Sequence, residues 1–100
     1  MNSPEQHRRP RILIADDSEM NRSILADMLG EEYDILEAED GVKAVAALQK
    51  YRTAIDLVLL DIVMPEMDGF EVLTVMNRNN WIEDIPVIMI SAETAPAHIE

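Results

Sequence analysis

Four short apolar runs, each separated from the next by a segment with helical spacing, constrain the fold of this chain more than any other feature. They lie at residues 12–15, 33–40, 56–61 and 87–91. Strands that alternate with helices indicate a parallel sheet with right-handed crossover connections. Helices then cover both faces of the sheet, which explains why residues 57–61 (LVLLD) are apolar up to their last position. The pattern predicts an α/β chain, β-α-β-α-β-α-β, with the start of a fourth helix after residue 91.

The intervening segments repeat apolar residues at helical intervals. The residues at these intervals are Met20, Ile24, Leu25, Met28 and Leu29 in the first helix, Val42, Val45, Ala46 and Leu48, with the polar Gln49, in the second, and Phe70, Leu73 and Met76 in the third. Ser18 or Asp17 is placed to cap the first helix. The second follows Gly41 and extends to about Tyr51, and the third begins near Gly69.

Composition narrows the classes of protein that the chain can belong to. One hundred residues, 48% of them hydrophobic, suit a single domain, and the absence of cysteine excludes disulfides and thiolate metal sites. The net charge is −12, although three of the eight basic residues and only one of the twenty acidic residues lie in the first eleven positions. Because such an acidic domain repels the phosphates of nucleic acids, we expect no direct nucleic acid binding.

No segment is typical of a membrane span or a signal peptide, and we expect a cytoplasmic protein. We expect a flexible leader at residues 1–10 and a domain at residues 11–100.

Polar side chains stand where three of the apolar runs end. Asp16 and Asp17 follow the first run, Asp61 ends the third, and Ser91 ends the fourth. The carboxyl ends of parallel strands share one edge of the sheet, where open α/β sheets bind ligands. The sequence therefore places these four side chains near one another.

Three carboxylates at one edge repel each other, and a hard divalent cation such as Mg²⁺ removes that conflict. A carboxylate oxygen beside such an ion can attack a phosphoryl donor and form an aspartyl phosphate, and the Ser91 hydroxyl can then bind the phosphoryl oxygens. Simpler interpretations stay open. Asp16 and Asp17 can serve as helix caps, Ser91 can be an ordinary strand end, and Asp68 with Gly69 can form an ordinary turn.

The segments ILIADDS, LLDIVMPEMDG and VIMISA, in this order and spacing, resemble the receiver domain of two-component response regulators. The resemblance covers nearly all of residues 11–100. It implies a flavodoxin-like doubly wound parallel sheet, with strands one to four present here in the order 2-1-3-4.

The resemblance also implies a role for individual residues. These are Asp61 as phosphoacceptor, Asp16 and Asp17 as Mg²⁺ ligands, the Val63 backbone carbonyl as a further ligand, the Ser91 hydroxyl as a switch group, and the Ala92 amide as a donor to the phosphoryl group. The implied partners are a histidine kinase or phosphotransfer protein, and an output domain or effector outside this chain. Such a domain catalyses only its own phosphorylation and dephosphorylation, and is not otherwise an enzyme.

The sequence departs from the family at its end. The family continues through a fourth helix, a fifth strand that carries a lysine, and a fifth helix, so we expect a receiver domain that is incomplete at its C-terminus. Its fourth strand would then be an exposed edge, which favours self-association. Two alternatives remain: an interaction module that does not switch, and a haloacid-dehalogenase-like phosphatase. The phosphatase needs an acid two residues after the nucleophile, where this chain has Val63.

Overall fold

The structure, a computed structural model, describes residues 9–91. The strands are β1 (Arg11–Ala15), β2 (Asp34–Ala38), β3 (Leu57–Asp61) and β4 (Val87–Ile90), and the α-helices are α1 (Glu19–Leu29), α2 (Gly41–Tyr51) and α3 (Gly69–Arg78). Short 3-10 turns follow α1, α2 and α3 at Gly30–Glu32, Arg52–Ala54 and Trp81–Glu83. The predicted alternation of strands and helices is confirmed for this part of the chain.

The four strands form one parallel sheet in the order β2-β1-β3-β4. In the register of the central pair, Leu13 lies opposite Val58 and Ala15 opposite Leu60. This is the strand order that the sequence predicted. It places β1 and β3 in the middle, so their carboxyl ends lie side by side at one edge of the sheet.

The side chains of β1 divide between two apolar clusters, one on each face of the sheet. Leu13 and Ala15 belong to the larger cluster, which contains buried residues of α2 and α3. Ile12 and Ile14 belong to the smaller cluster, against which α1 packs. This alternation follows from the two-residue period of a strand. Apolar packing on both faces leaves polar groups at the strand ends.

Each helix begins with a side-chain cap. The Ser18 hydroxyl accepts a hydrogen bond from the Asn21 amide at the start of α1, and Asp40 caps α2. Asp68 caps α3 through a reciprocal pair of bonds with Glu71, at 2.9 and 2.8 Å. These bonds satisfy amides that have no partner within the helix. Asp68 is therefore a helix cap as well as part of a turn.

The predicted apolar faces of the helices are wrong in part. In α1, Met20 and Met28 are 70% and 75% exposed, and Ile24 is 48% exposed, while Leu25 and Leu29 pack against the sheet. Helix α2 buries Gly41, Ala44 and Leu48, and the predicted residues Val42, Ala46 and Gln49 are exposed. Helix α3 buries Gly69, Val72 and Met76, and the predicted residue Phe70 is exposed.

Some predictions fall beyond the described residues. Ala92 and the start of a fourth helix lie outside residues 9–91, as do residues 1–8 of the predicted leader. Arg9 and Pro10 are exposed and belong to no helix or strand. Among the described helices, none combines the length and the apolar character that a bilayer crossing requires.

Candidate functional site

The register of the sheet brings the polar strand ends together. Ala15 pairs with Leu60, so Asp16 and Asp61 are the next residues along two hydrogen-bonded strands. Asp61 pairs in turn with Ile90 on β4, which places Ser91 one residue beyond it. The structure therefore assembles at one edge the groups that the sequence predicted to meet there.

The three aspartates form a compact cluster. Asp16, Asp17 and Asp61 each offer a carboxylate oxygen, and these oxygens lie within 4.8 Å of one another. Asp16 and Asp61 are buried, at 1% and 3% exposure, whereas Asp17 is exposed. Two carboxylates thus stand in a largely desolvated position, with the third at the opening to solvent.

Backbone amides orient the two buried carboxylates. The Ser18 amide donates to Asp16 Oδ1 at 2.8 Å, and the Val63 amide donates to Asp61 Oδ1 at 3.4 Å. Ser18, and not either aspartate, caps α1. Helix capping therefore does not account for the positions of Asp16 and Asp17.

The electrostatics of the cluster act on Asp61. Burial raises the pKa of this carboxyl above its ordinary value of 3.8, and the neighbouring carboxylate of Asp16 raises it further. Asp17 contributes in the same direction, while the hydrogen bond from the Val63 amide lowers the pKa. The charged form of Asp61 is thus disfavoured unless a positive charge approaches it.

The loop after β3 is held close against the acceptor strand. The Gly69 amide donates to the Ile62 carbonyl at 2.9 Å, and a Cβ at Gly69 would collide with the backbone carbonyl of Asp61. A Cβ at Gly41 would likewise collide with the Met67 carbonyl on the other side of the loop. Both glycines are needed for these close approaches. They fix the loop between the first turn of α2 and the end of β3.

The same loop contains a strained residue. Glu66 has φ 71°, and the Met67 amide donates to the Pro65 carbonyl at 2.7 Å across it. This three-residue turn with a positive φ is uncommon for a residue other than glycine. The turn reverses the chain just after Pro65, so the loop stays compact beside the carboxylates.

Ser91 shares a cleft with Asp16, one member of the acidic cluster. Asp16, Ser91, Asn21 and the apolar residues Ile24, Leu25 and Ile90 line a cleft of about 210 Å³. Val63 is joined to Asp61 by the hydrogen bond from its amide to Oδ1 and is 62% exposed. The predicted residues Asp16, Asp17, Asp61, Val63 and Ser91 are therefore neighbours of one site, and their chemical roles stay predictions.

The sequence analysis missed one charged residue beside this site. Arg22 of α1 donates through Nη1 to the Asp16 backbone carbonyl at 2.6 Å and through Nε to Glu37 at 2.7 Å. Its side chain is only 12% exposed. The available signal was a lone basic residue one helical turn after the cap Ser18, since positions 18 and 22 lie on the same side of a helix.

The donor set suits a hard divalent cation. Carboxylate oxygens are the ligands that Mg²⁺ prefers, and it binds proteins through one or two carboxylates while keeping several waters. The cluster supplies two buried carboxylates and an exposed one within a radius that a single ion can bridge. The raised pKa of Asp61 identifies the electrostatic cost that such an ion would remove.

Comparison with known proteins agrees with this geometry. The family model of the response regulator receiver domain matches residues 12–100. A probable cyclic di-GMP phosphodiesterase of Vibrio cholerae is 45% identical over 85 residues, or 85% of this chain and 19% of that protein. A protein-glutamate methylesterase/protein-glutamine glutaminase of Pyrococcus abyssi is 38% identical over 94 residues, or 91% of this chain and 24% of that protein. The chain thus spans about a fifth to a quarter of the length of these two relatives.

Solved structures show the same fold. In the crystal structure of the CheX-CheY-BeF3-Mg complex from Borrelia burgdorferi, the similar chain has a TM-score of 0.78 and 32% identity, covering 97% of this chain and 72% of that one. The N-terminal domain of a receiver protein from Methanoculleus marisnigri is 38% identical with a TM-score of 0.74, covering 87% of this chain and 71% of that one. From the family match, the strand order and the acidic strand ends together, the chain belongs to the response regulator receiver domain family.

Proposed function

We propose that this domain is a phosphoacceptor in two-component signalling, with Asp61 as the acceptor and Mg²⁺ as the required cation. The observation that carries the proposal is the cluster of Asp16, Asp17 and Asp61, whose oxygens lie within 4.8 Å of one another at the carboxyl ends of β1 and β3. A similar chain belongs to a CheX-CheY complex that was solved with BeF3 and Mg, which supports a magnesium-dependent site of this kind.

Asp61 is the best placed nucleophile of the three. It ends the central strand β3, and the loop that follows passes over its backbone through the contacts of Gly69. The Val63 amide donates to Oδ1 and so orients the carboxylate. Transfer would form a bond from a carboxylate oxygen of Asp61 to phosphorus as the phosphorus–nitrogen bond of a phosphohistidine breaks, and the histidine nitrogen would take up a proton from solvent.

Asp16 and Asp17 would hold the cation together with Asp61, and the Val63 carbonyl would complete the protein ligands. When bound, Mg²⁺ neutralises charge on the carboxylates and on the transferring group. Two hydrogen bonds keep Asp16 in place. Its backbone amide donates to the Ala38 carbonyl, and its carboxylate accepts from the Ser18 amide. This fixed arrangement of oxygens would be much of what the protein contributes to phosphoryl transfer.

Ser91 would bind the phosphoryl group after transfer. It stands one residue beyond the position that pairs with Asp61 and shares a cleft with Asp16. A hydroxyl there can donate to a phosphoryl oxygen, and a small movement of the end of β4 would then bias the domain toward a second conformation. Hydrolysis by water would later return the free Asp61 carboxylate and inorganic phosphate. We also propose that the domain controls an output partner and that it acts in the cytoplasm.

Intact mass spectrometry tests the chemistry directly. The chain is incubated with acetyl phosphate and MgCl₂, and we expect the added mass of one phosphoryl group. Asp61→Asn should remove the addition, since it preserves the size of the side chain but not the nucleophile, and so should EDTA. Asp84→Asn, at an exposed acid just before β4, is the matched control and should be phosphorylated normally. Phosphorylation of Asp61→Asn, or of wild type in EDTA, would refute the proposal.

A further inference from the structure

Arg22 joins three elements next to the acidic cluster. Its guanidinium belongs to α1, binds the backbone carbonyl at the end of β1, and pairs with Glu37 on β2. The Glu37 side chain is 46% exposed, but that of Arg22 is 12% exposed. A nearly buried guanidinium with two short, directed bonds is a fixed structural element and differs from a solvated surface charge.

The carbonyl that Arg22 binds belongs to the peptide unit between Asp16 and Asp17. A peptide unit is planar, so a bond that fixes the carbonyl oxygen also fixes the amide of the next residue. Arg22 therefore sets the orientation from which the Asp17 side chain leaves the backbone. On the other side of Asp16, the amide is held by the Ala38 carbonyl at 3.0 Å and the carboxylate by the Ser18 amide.

Glu37 determines where the guanidinium can lie. The Nε–Oε1 bond of 2.7 Å orients the planar group, and Nη1 then reaches the Asp16 carbonyl at 2.6 Å. Lysine cannot reproduce this arrangement, because an ammonium group lacks the rigid fork that binds two partners at set angles. Glu37 also balances the positive charge close to a site that is proposed to bind a cation.

We propose that Arg22, oriented by Glu37, is a positioning residue that preorganises Asp16 and Asp17 for a divalent cation. The proposal rests on the proposed function for the identity of the cation, but cation binding can be measured without phosphorylation. Residues that orient metal ligands without touching the metal commonly change metal affinity by about 10- to 100-fold. Arg22 does not touch the reacting atoms, so its effect is exerted through the two aspartates.

The sign of the effect separates positioning from charge. If Arg22 acted only through its charge, its removal would strengthen cation binding, because a nearby positive charge repels Mg²⁺. If it positions the aspartates, its removal weakens binding although the site becomes more negative. Arg22→Met removes the charge and both bonds at similar size, and Arg22→Lys keeps the charge without the fork. The two variants are expected to weaken binding to a similar extent.

The experiment is an NMR titration of the ¹⁵N-labelled full chain with MgCl₂ alone. We expect Kd to rise about tenfold or more in Arg22→Met and Arg22→Lys, and to stay unchanged in Arg78→Met, an exposed arginine at the end of α3. Cooperative urea unfolding, followed by the single tryptophan Trp81, verifies folding. If the Arg22 variants do not fold, Glu37→Asp replaces them, with the same tenfold expectation, since it keeps the charge but withdraws the carboxylate from the guanidinium.

An unchanged or lower Kd in a folded Arg22 variant would overturn the positioning role while leaving the proposed function in place. Wild type that binds Mg²⁺ with the expected loss in the variants, yet is not phosphorylated on Asp61, would support positioning and refute the phosphoacceptor function. Wild type that binds no Mg²⁺ would overturn both. The three results are therefore distinguishable.

Discussion

Asp61→Asn is expected to make the magnesium-free protein more stable at neutral pH, although it removes the proposed acceptor. The carboxylate oxygens of Asp61, Asp16 and Asp17 lie within 4.8 Å of one another. Two unit charges at that separation repel by about 3.5 kcal/mol at an effective dielectric constant of about 20, and by about 0.9 kcal/mol in bulk water. The asparagine keeps an oxygen to accept the bond from the Val63 amide.

The net gain is smaller than the summed repulsion. Asp17 is exposed, so its repulsion is close to the value in water. The new amide group must also find hydrogen-bond partners in a site where Asp61 is 3% exposed, and an unsatisfied group costs about 1–3 kcal/mol. We therefore expect Asp61→Asn to raise the free energy of unfolding by about 1–3 kcal/mol, and a gain of 1 kcal/mol raises Tm by about 4–8 °C in a domain of this size.

The gain depends on pH with a definite sign. The pKa of Asp61 in the folded protein is raised, mainly by burial and then by the Asp16 carboxylate, above the ordinary value of 3.8. A raised pKa favours folding below 3.8, where the carboxyl is protonated in both states, and that contribution is lost as pH rises through the folded pKa. Asparagine does not titrate. The advantage of the variant should therefore grow from acidic to neutral pH and then level off.

Urea unfolding followed by Trp81 fluorescence measures the difference, because this buried residue is the single tryptophan of the chain. The measurements run from about pH 4.5 to neutral pH in EDTA, where the linkage between protonation and stability acts. Saturating MgCl₂ should then reduce or reverse the difference, since a ligand stabilises the state that binds it. Asp84→Asn is the control. A variant no more stable than wild type at neutral pH, or an advantage independent of pH, would refute the electrostatic argument.

Three further predictions follow from the loop and the sheet edge. Gly69→Ala should lower the free energy of unfolding by about 1–3 kcal/mol, because its Cβ meets the Asp61 carbonyl, and it should also slow phosphorylation by acetyl phosphate. Phe70→Ala, at an exposed neighbouring residue, should change neither the free energy of unfolding nor the rate of phosphorylation. Glu66→Val should be less stable than Glu66→Gly by about 1–2 kcal/mol in urea, since φ is 71° there, and equal stability would contradict strain at this turn. The 100-residue chain should self-associate in sedimentation velocity runs as its concentration rises, and Ile88→Lys on β4 should reduce this association. A monomer at every concentration would contradict the pairing of β4 edges between molecules.

The sheet and the acidic cluster could be predicted from the sequence because they depend on order along the chain. Parallel strands joined by helices have their carboxyl ends at one edge, whatever the details of packing. Asp16, Asp17 and Asp61 each follow or end an apolar run, so their meeting required only the topology. The register of β1 and β3 then places Asp16 and Asp61 at adjacent strand ends.

The rotation of each helix about its axis could not be predicted in the same way. Helix α1 carries two apolar stripes, one with Leu25 and Leu29 and another with Met20 and Met28, and periodicity alone gives no preference between them. The structure packs the leucines against the sheet and leaves the two methionines 70% and 75% exposed. The choice depends on contacts between distant parts of the chain, which the spacing of one segment does not encode.

Glycines explain the errors in α2 and α3. In both helices the first residue, Gly41 or Gly69, is buried, since a neighbouring backbone lies against it. That contact determines which residues follow on the buried face, so Val72 is buried in place of Phe70. The sequence analysis places Gly41 before the second helix, whereas in the structure it is the first residue of α2 and packs against the Met67 carbonyl.

Stability and function are linked through Asp61. The repulsion that destabilises the free domain is the same interaction that a bound cation would relieve, so a site that binds Mg²⁺ well is costly when empty. The stabilisation in Asp61→Asn thus measures the electrostatic part of that cost. Arg22 acts on a different part, because it fixes the peptide unit between Asp16 and Asp17 and leaves the charges of the carboxylates unchanged. The two residues share Asp16 as a neighbour, because Arg22 binds the Asp16 backbone carbonyl and the Asp16 carboxylate raises the pKa of Asp61. We therefore expect a coupling of about 0.5–3 kcal/mol in the free energy of unfolding of Arg22→Met/Asp61→Asn. Additive free energies would show that Arg22 does not act on Asp61 through Asp16.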